Sequence, residues 1–139
     1  MRLVLDTNIV IVALLWRGAP HELLGLITEG HARCFSSAEL VGELARALQY
    51  PKFTQRLSEE HLDPEALVER YSRLAKQVVP ANISPTVLAD PDDDRVLACA
   101  LAAQADLIVS GDSHLLNLKA YQRVPIVGAA EALKRISQR

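Results

Sequence analysis

The sequence predicts an α/β fold in which a mainly parallel sheet is sandwiched by helices. Three observations carry that expectation. Short, uniformly apolar stretches at residues 2–6, 32–36, 106–110 and 125–127 read as strands covered on both faces. Helical patterns alternate with them, as a parallel sheet requires. The 139 residues contain no repeat, no low-complexity tract and no linker long enough to mark a boundary, so a single domain over residues 1–139 is expected.

Residues 2–6 (RLVLD) read as a buried strand ending in an acid. Asp6-Thr7-Asn8 can cap a helix over residues 8–17, although the β-branched run in it could equally prolong the strand. Gly18-Ala19-Pro20 breaks that helix, Pro20 suits the first turn of a second one, and Gly30 suits its end. After the strand at 32–36, Ser36-Ser37-Ala38-Glu39 is a capping-box pattern that opens a helix over 37–49. Tyr50-Pro51 stops it. Asp63-Pro64 starts another helix, whose apolar residues Leu67, Val68, Tyr71, Leu74 and Ala75 fall at helical spacing. Residues 78–80 read as a strand and 83–90 as loop. A helix then begins within residues 92–94 and runs through an Ala-rich stretch to Gln104. The strand at 106–110 (DLIVS) is the clearest in the chain, and a strand at 125–127 and a helix over 129–138 complete it.

Composition removes several function classes. Hydrophobic residues are 50% and charged residues 23%, the balance of a globular chain rather than a disordered one. Aromatics are only 4%, which argues against a sheet platform that stacks bases, such as an RRM or OB-fold uses. A net charge of −2 excludes a basic nucleic-acid-binding arm but not a locally basic surface. Cys34 and Cys99 form no CxxC and lie in apolar runs, as buried reduced thiols do. The longest apolar run, residues 9–16, is too short to span a bilayer and lacks signal-peptide flanks, so a cytoplasmic protein without a membrane partner is expected. His21, His31, His61 and His114 have no metal-ligand spacing, and GxSxG, P-loop and GxGxxG motifs are missing.

The acids are the informative residues. In open parallel sheets, ligands bind outside the carboxyl ends of the strands. Two predicted strands end in aspartate, at Asp6 and Asp112. A third acidic group, Asp90 to Asp94 around Pro91, opens the helix that precedes the strand ending at Asp112. On the helix over 37–49, a wheel centred on the apolar stripe places Glu43 at its border and Glu39 ~40° further out. Each acid alone has a plainer explanation. Asp6 could be a helix cap, Asp92 and Asp93 could complement a helix dipole, and Glu43 could be a solvated helix residue. Together they form a rim of carboxylates that repel one another and need a cation. All-oxygen donors suit Mg²⁺ or Mn²⁺ rather than zinc.

The segments LVLDTN, SSAELVGEL and DPDDDRVLACALAAQADLIVSGD, with the terminal PIV strand, resemble a PIN domain over nearly the whole chain. They are similar to the short prokaryotic PIN toxins related to VapC ribonucleases. The resemblance implies a three-layer, Rossmann-like α/β/α fold and a metal-dependent endoribonuclease that cleaves single-stranded RNA. It places the family's four acids on Asp6, Glu43, Asp94 and Asp112, as catalytic residues and metal ligands. Asp92 then stands as an auxiliary ligand, and Thr7, Asn8 and Ser110 as supporting residues. One or two Mg²⁺ or Mn²⁺ ions would activate water for in-line attack on a phosphodiester. The resemblance also implies the toxin of a type II toxin–antitoxin pair, with an antitoxin protein as partner, and a homodimer. One departure is His114, which stands where many relatives carry a further acid.

With the four site acids set aside, the net charge of −2 becomes +2 for the remainder. Arg17, Lys52, Arg56, Arg70, Arg73, Lys76, Lys119 and Arg123 are among the cations that could supply a phosphate-gripping rim. Two rival readings are set against this one. A HAD-like phosphatase needs a second carboxylate two residues after the first, and the chain has Asn8 there. A non-catalytic interaction domain would have no use for an intact acidic quartet.

Overall fold

The computed structural model describes residues 1–138. Its elements are β1 (Arg2–Leu5), α1 (Thr7–Leu15), α2 (Ala19–Thr28), β2 (Arg33–Ser36), α3 (Ala38–Ala47), α4 (Pro51–Glu59), α5 (Pro64–Leu74), β3 (Lys76–Gln77), α6 (Asp93–Ala103), β4 (Leu107–Val109), α7 (Ser113–Leu116), β5 (Ala120–Tyr121), β6 (Val124–Val127) and α8 (Ala129–Ser137). The strands form one sheet in the order β3-β2-β1-β4-β6-β5. All its neighbours pair in parallel except β5, which runs antiparallel to β6.

Side-chain alternation along the central strands builds three layers. Leu3 and Leu5 of β1 and Leu107 and Val109 of β4 face one core, shared with α1, α2, α5 and α8. Val4 and Ile108 face the other, where Phe35 meets the Val96, Leu97 and Ala100 stripe of α6. Two covered faces explain why the strands are uniformly apolar. The expected α/β class, with a mainly parallel sheet between helices, is therefore the observed one.

The β-branched run after Asp6 is helical, because burial of α1 between β1 and α2 overrides its strand propensity. Gly18, at φ +127°, lets the chain turn 90° between α1 and α2. Neither helix is long and apolar enough to cross a membrane by itself, and both bury most of their apolar residues in the first core.

Four local expectations are corrected. Pro51 ends α3 and also opens α4, a helix held by the buried pair Phe53 and Leu57 in an otherwise polar segment. The strand expected at 78–80 lies at Lys76–Gln77, paired with Phe35 and Ser36. One more ladder bond, Val78 N–H to the Ser36 carbonyl at 2.9 Å, follows it, and Pro80 has no N–H to continue. The short helix α7 and the edge strand β5 carry too few apolar residues to stand out in the sequence.

Candidate metal centre

The strand order reverses between β1 and β4. From β1 the sheet grows through β2 to β3, and the chain then crosses over to β4 and β6. Crevices of open α/β sheets lie at that point, beyond the strand carboxyl ends. Asp6 follows β1 there, and Ser110, Gly111 and Asp112 follow β4. Asp6 is 5% exposed and fully engaged: Oδ1 accepts from Ile9 N–H at 2.8 Å, capping α1, and Oδ2 accepts from the Ser110 hydroxyl. The same hydroxyl accepts from Asp112 N–H at 2.9 Å, so Ser110 ties the two strand ends together. Asp112 caps α7 through His114 N–H at 2.8 Å, and His114 Nδ1 stands 3.5 Å from its carboxylate.

Glu43 comes from the middle turn of α3, half-buried, and Thr7 from the first turn of α1; both line the same cleft. The Thr7 hydroxyl, facing Glu43, is buried and closes no hydrogen bond of its own. Asn8 is exposed at the rim, as is Asp92. Glu39 points elsewhere, into a separate hollow beside the 80–83 segment.

The expected third acid, Asp94, is not in the cleft. Its Oδ1 accepts from Val87 N–H at 2.8 Å and its Oδ2 from Thr86 N–H at 3.1 Å, which latches the 81–92 loop onto α6. The cleft receives Asp93 instead, buried, with Oδ2 lacking any partner among the described residues. Asp90 lines the cleft as well. The helix phase decides between the neighbours. Asp93 lies three, four and seven residues before Val96, Leu97 and Ala100, the buried stripe of α6, whereas Asp94 is turned ~100° away. That stripe is legible in the sequence and could have identified Asp93.

The cleft holds Asp6, Glu43, Asp90, Asp92, Asp93 and Asp112, with Thr7, Asn8 and Val96, in about 90 Å³. That is room for a few waters or ions, while drug-sized ligands need at least ~300 Å³. A larger cavity of about 530 Å³ lies between α2 and α5, where Leu14, Leu24 and Leu74 meet His21, Glu29, Arg70 and Arg73, with no cluster of carboxylates. Burial raises the Asp6 carboxyl above its ordinary range; Ser110 and Ile9 oppose the rise, and Asp112 adds to it. Burial raises Glu43 too, against the Thr7 hydroxyl, with Asp92 adding to the rise while Arg95 and Arg46 oppose it. Asp93 is pushed up to about 8, first by burial, then by the hydrogen bond and charge of Asp112, then by Asp90 and Asp6. Ligand atoms of Asp93, Asp112 and His114 lie within 4.8 Å of one another. An orphaned buried carboxylate oxygen, a proton forced onto Asp93 and an oxygen-dominated donor set all fit a hard divalent cation.

Residues 2–114 match the family model described as PIN domain. The chain belongs to the PIN domain family. Its fold is also similar to a chain in the crystal structure of VapBC2 from Rickettsia felis bound to a DNA fragment from its promoter. The TM-score is 0.57 at 13% identity, over 91% of this chain and 97% of that one. At that identity the likeness speaks for the fold. Among curated proteins, none matches the sequence. PIN domains are generally nucleases that use divalent metals, and this PIN domain has an acid-lined cleft beyond the carboxyl ends of β1 and β4.

Proposed function

We propose that this PIN domain is a metal-dependent endoribonuclease that cleaves single-stranded RNA, acting as the toxin of a type II toxin–antitoxin pair. The observation that carries the reading is the cleft at the sheet's switch point, where carboxylates from four separate elements converge. Asp6, Glu43, Asp93 and Asp112 would hold Mg²⁺ or Mn²⁺, with Asp92 as the auxiliary carboxylate and Asp93 taking the place expected of Asp94. Such an ion, when bound, lowers the pKa of a coordinated water and stabilises charge on the leaving oxygen.

The chain's own groups prepare that site. Ser110 fixes the Asp6 carboxylate by donating to it and holds Asp112 by accepting from its N–H. Ile9 N–H, in the first turn of α1, donates to Asp6, which keeps that carboxylate in one orientation. Burial and the neighbouring Asp112, Asp90 and Asp6 push the Asp93 carboxyl up to about 8, so a cation held there would displace its proton. The cleft is too small to enclose a nucleotide, so a strand would lie across its mouth, which suits an endonuclease. His114 stands beside Asp112, its Nδ1 3.5 Å from the carboxylate, and the cleft would take one or two ions.

The test is cleavage of a labelled single-stranded RNA with Mn²⁺, with and without EDTA, by the parent and by Asp6→Asn. Metal-dependent cutting by the parent alone is expected, and parental cutting by Asp6→Asn would refute the reading. The antitoxin partner, the cytoplasmic location and the homodimer belong to the same proposal. The VapBC2 fold likeness supports the first. Growth arrest on expression, rescued by the product of an adjacent small gene, checks it; light scattering checks the dimer.

A further inference from the structure

The chain has six aromatic residues, and three of them, Trp16, Tyr50 and Phe53, gather where α1 ends and α4 begins. Trp16 meets Phe53 edge-on, with ring centroids 6.2 Å apart. The Arg56 guanidinium stands 5.5 Å from the Trp16 centroid. Arg56 is itself fixed, by Nε donating to the Leu15 carbonyl at 2.7 Å and by an ion pair with Glu60 at 3.0 Å. Trp16 is thus held in place, yet it is 36% exposed, and Tyr50 is 50% exposed. Lys52, 5.2 Å from the Phe53 centroid, is exposed, as are Arg17 and Arg46. None of these three cations has a carboxylate within ion-pair distance among the described residues.

This patch is continuous with the acidic cleft. Every residue of α1 is buried except Asn8 and Val12. With Trp16 they are spaced four apart and form one exposed line running from the cleft to the patch. Ten residues separate Asp6 from Trp16, or ~15 Å at the ~1.5 Å helical rise. That is about four nucleotides at the ~3.4 Å stacking distance. On the α3 side, Arg46 lies one turn beyond Glu43, close enough for its charge to act on that carboxylate, and leads on to Tyr50 and Lys52.

We infer that this helix-borne surface is a base-stacking subsite for single-stranded nucleic acid, engaging the substrate about four nucleotides from the scissile bond. Bases stack on Trp16 and Tyr50, and phosphates meet Arg46, Lys52 and Arg17. Exposed rings interleaved with free cations are the donor set a single strand needs, because every base offers a π-face and every phosphate a charge. The inference rests on the nuclease reading of the cleft, which gives the strand its path.

Trp16 is the only tryptophan, so its emission reports the subsite without any need for catalysis. A single-stranded RNA dodecamer added in EDTA is expected to quench it. The double variant Tyr50→Ser/Lys52→Ser changes two exposed side chains and is expected to weaken dodecamer binding by roughly tenfold. It should also lower kcat/KM for the dodecamer more than for a trinucleotide, with circular dichroism and the Mn²⁺-induced rise in Tm retained. Unmoved Trp16 emission with the dodecamer, or a variant that binds and cuts it as the parent does, overturns the subsite and leaves the patch to a protein partner. A parent that quenches but never cuts in Mn²⁺ overturns the nuclease reading alone.

Discussion

Two neighbouring aspartates should respond in opposite ways to the same substitution. Asp94→Asn removes a charge that accepts from two backbone amides, at 2.8 Å from Val87 and 3.1 Å from Thr86. Hydrogen bonds to charged groups contribute ~1.5–3 kcal/mol each. The amide keeps one accepting oxygen and turns its NH₂ group toward the other N–H, so the net loss is ~1.5–3 kcal/mol. At ~2.1 cal/mol/K of unfolding entropy per residue, a chain of this length loses ~5–10 °C in Tm. The metal-induced rise in Tm and the cleavage should both survive. Asp93→Asn should do the reverse. Asp93 is protonated in the metal-free protein below about 8, so a neutral amide imitates its resting state. The metal-free Tm should stay near the parent's at acidic pH, while the response to Mn²⁺ and the cleavage disappear. The assay is a pair of melts, in EDTA and in millimolar Mn²⁺, alongside RNA cleavage. If Asp94→Asn abolished the metal response while Asp93→Asn kept it, the phase argument for α6 would be wrong and Asp94 would return as the ligand.

Four further outcomes follow from the same cleft. Divalent metal should raise Tm, because it binds only the folded arrangement of carboxylates; at a hundredfold excess over Kd the gain is ~2.7 kcal/mol. Asp6→Asn should remove cleavage and shrink that rise while leaving the metal-free protein folded, since an amide still caps α1; parental cutting would refute the site. Glu43→Gln should cripple cleavage far more than Glu39→Gln, because only Glu43 lines the cleft; equal residual activity would refute that placement. The metal-free protein should lose stability as pH rises from about 4 to about 8. Asp93 has its folded pKa raised from 3.8 to about 8, so within that window the folded state binds the extra proton and loses it as pH climbs. Melts in EDTA across the window should therefore show a steeper decline for the parent than for Asp93→Asn, and parallel curves would refute the assignment.

The legible parts of the sequence were those where one residue type serves one purpose. Leu3, Val4 and Leu5 announce a strand buried on both faces, and the acid that follows such a strand can only lie at its carboxyl edge. Asp6 and Asp112 were therefore placed by strand ends alone, and Glu43 by its position beside the Leu40–Leu44–Ala47 stripe. The illegible parts were those where neighbouring residues of one type divide the work. Asp92, Asp93 and Asp94 are alike in chemistry, and the resemblance read by motif points to Asp94, whereas the cleft is lined by Asp93. Helical phase separates them, because ~100° per residue sends one carboxylate to the cleft and the next to the loop amides of Thr86 and Val87. The same logic explains Pro51. It reads as a stop for α3, yet a residue without an N–H is equally suited to open α4, and only the burial of Phe53 and Leu57 shows that it does both. That second role has a consequence for function: α4 brings Phe53 against Trp16, so the element hardest to see in the sequence builds the patch proposed to hold the strand.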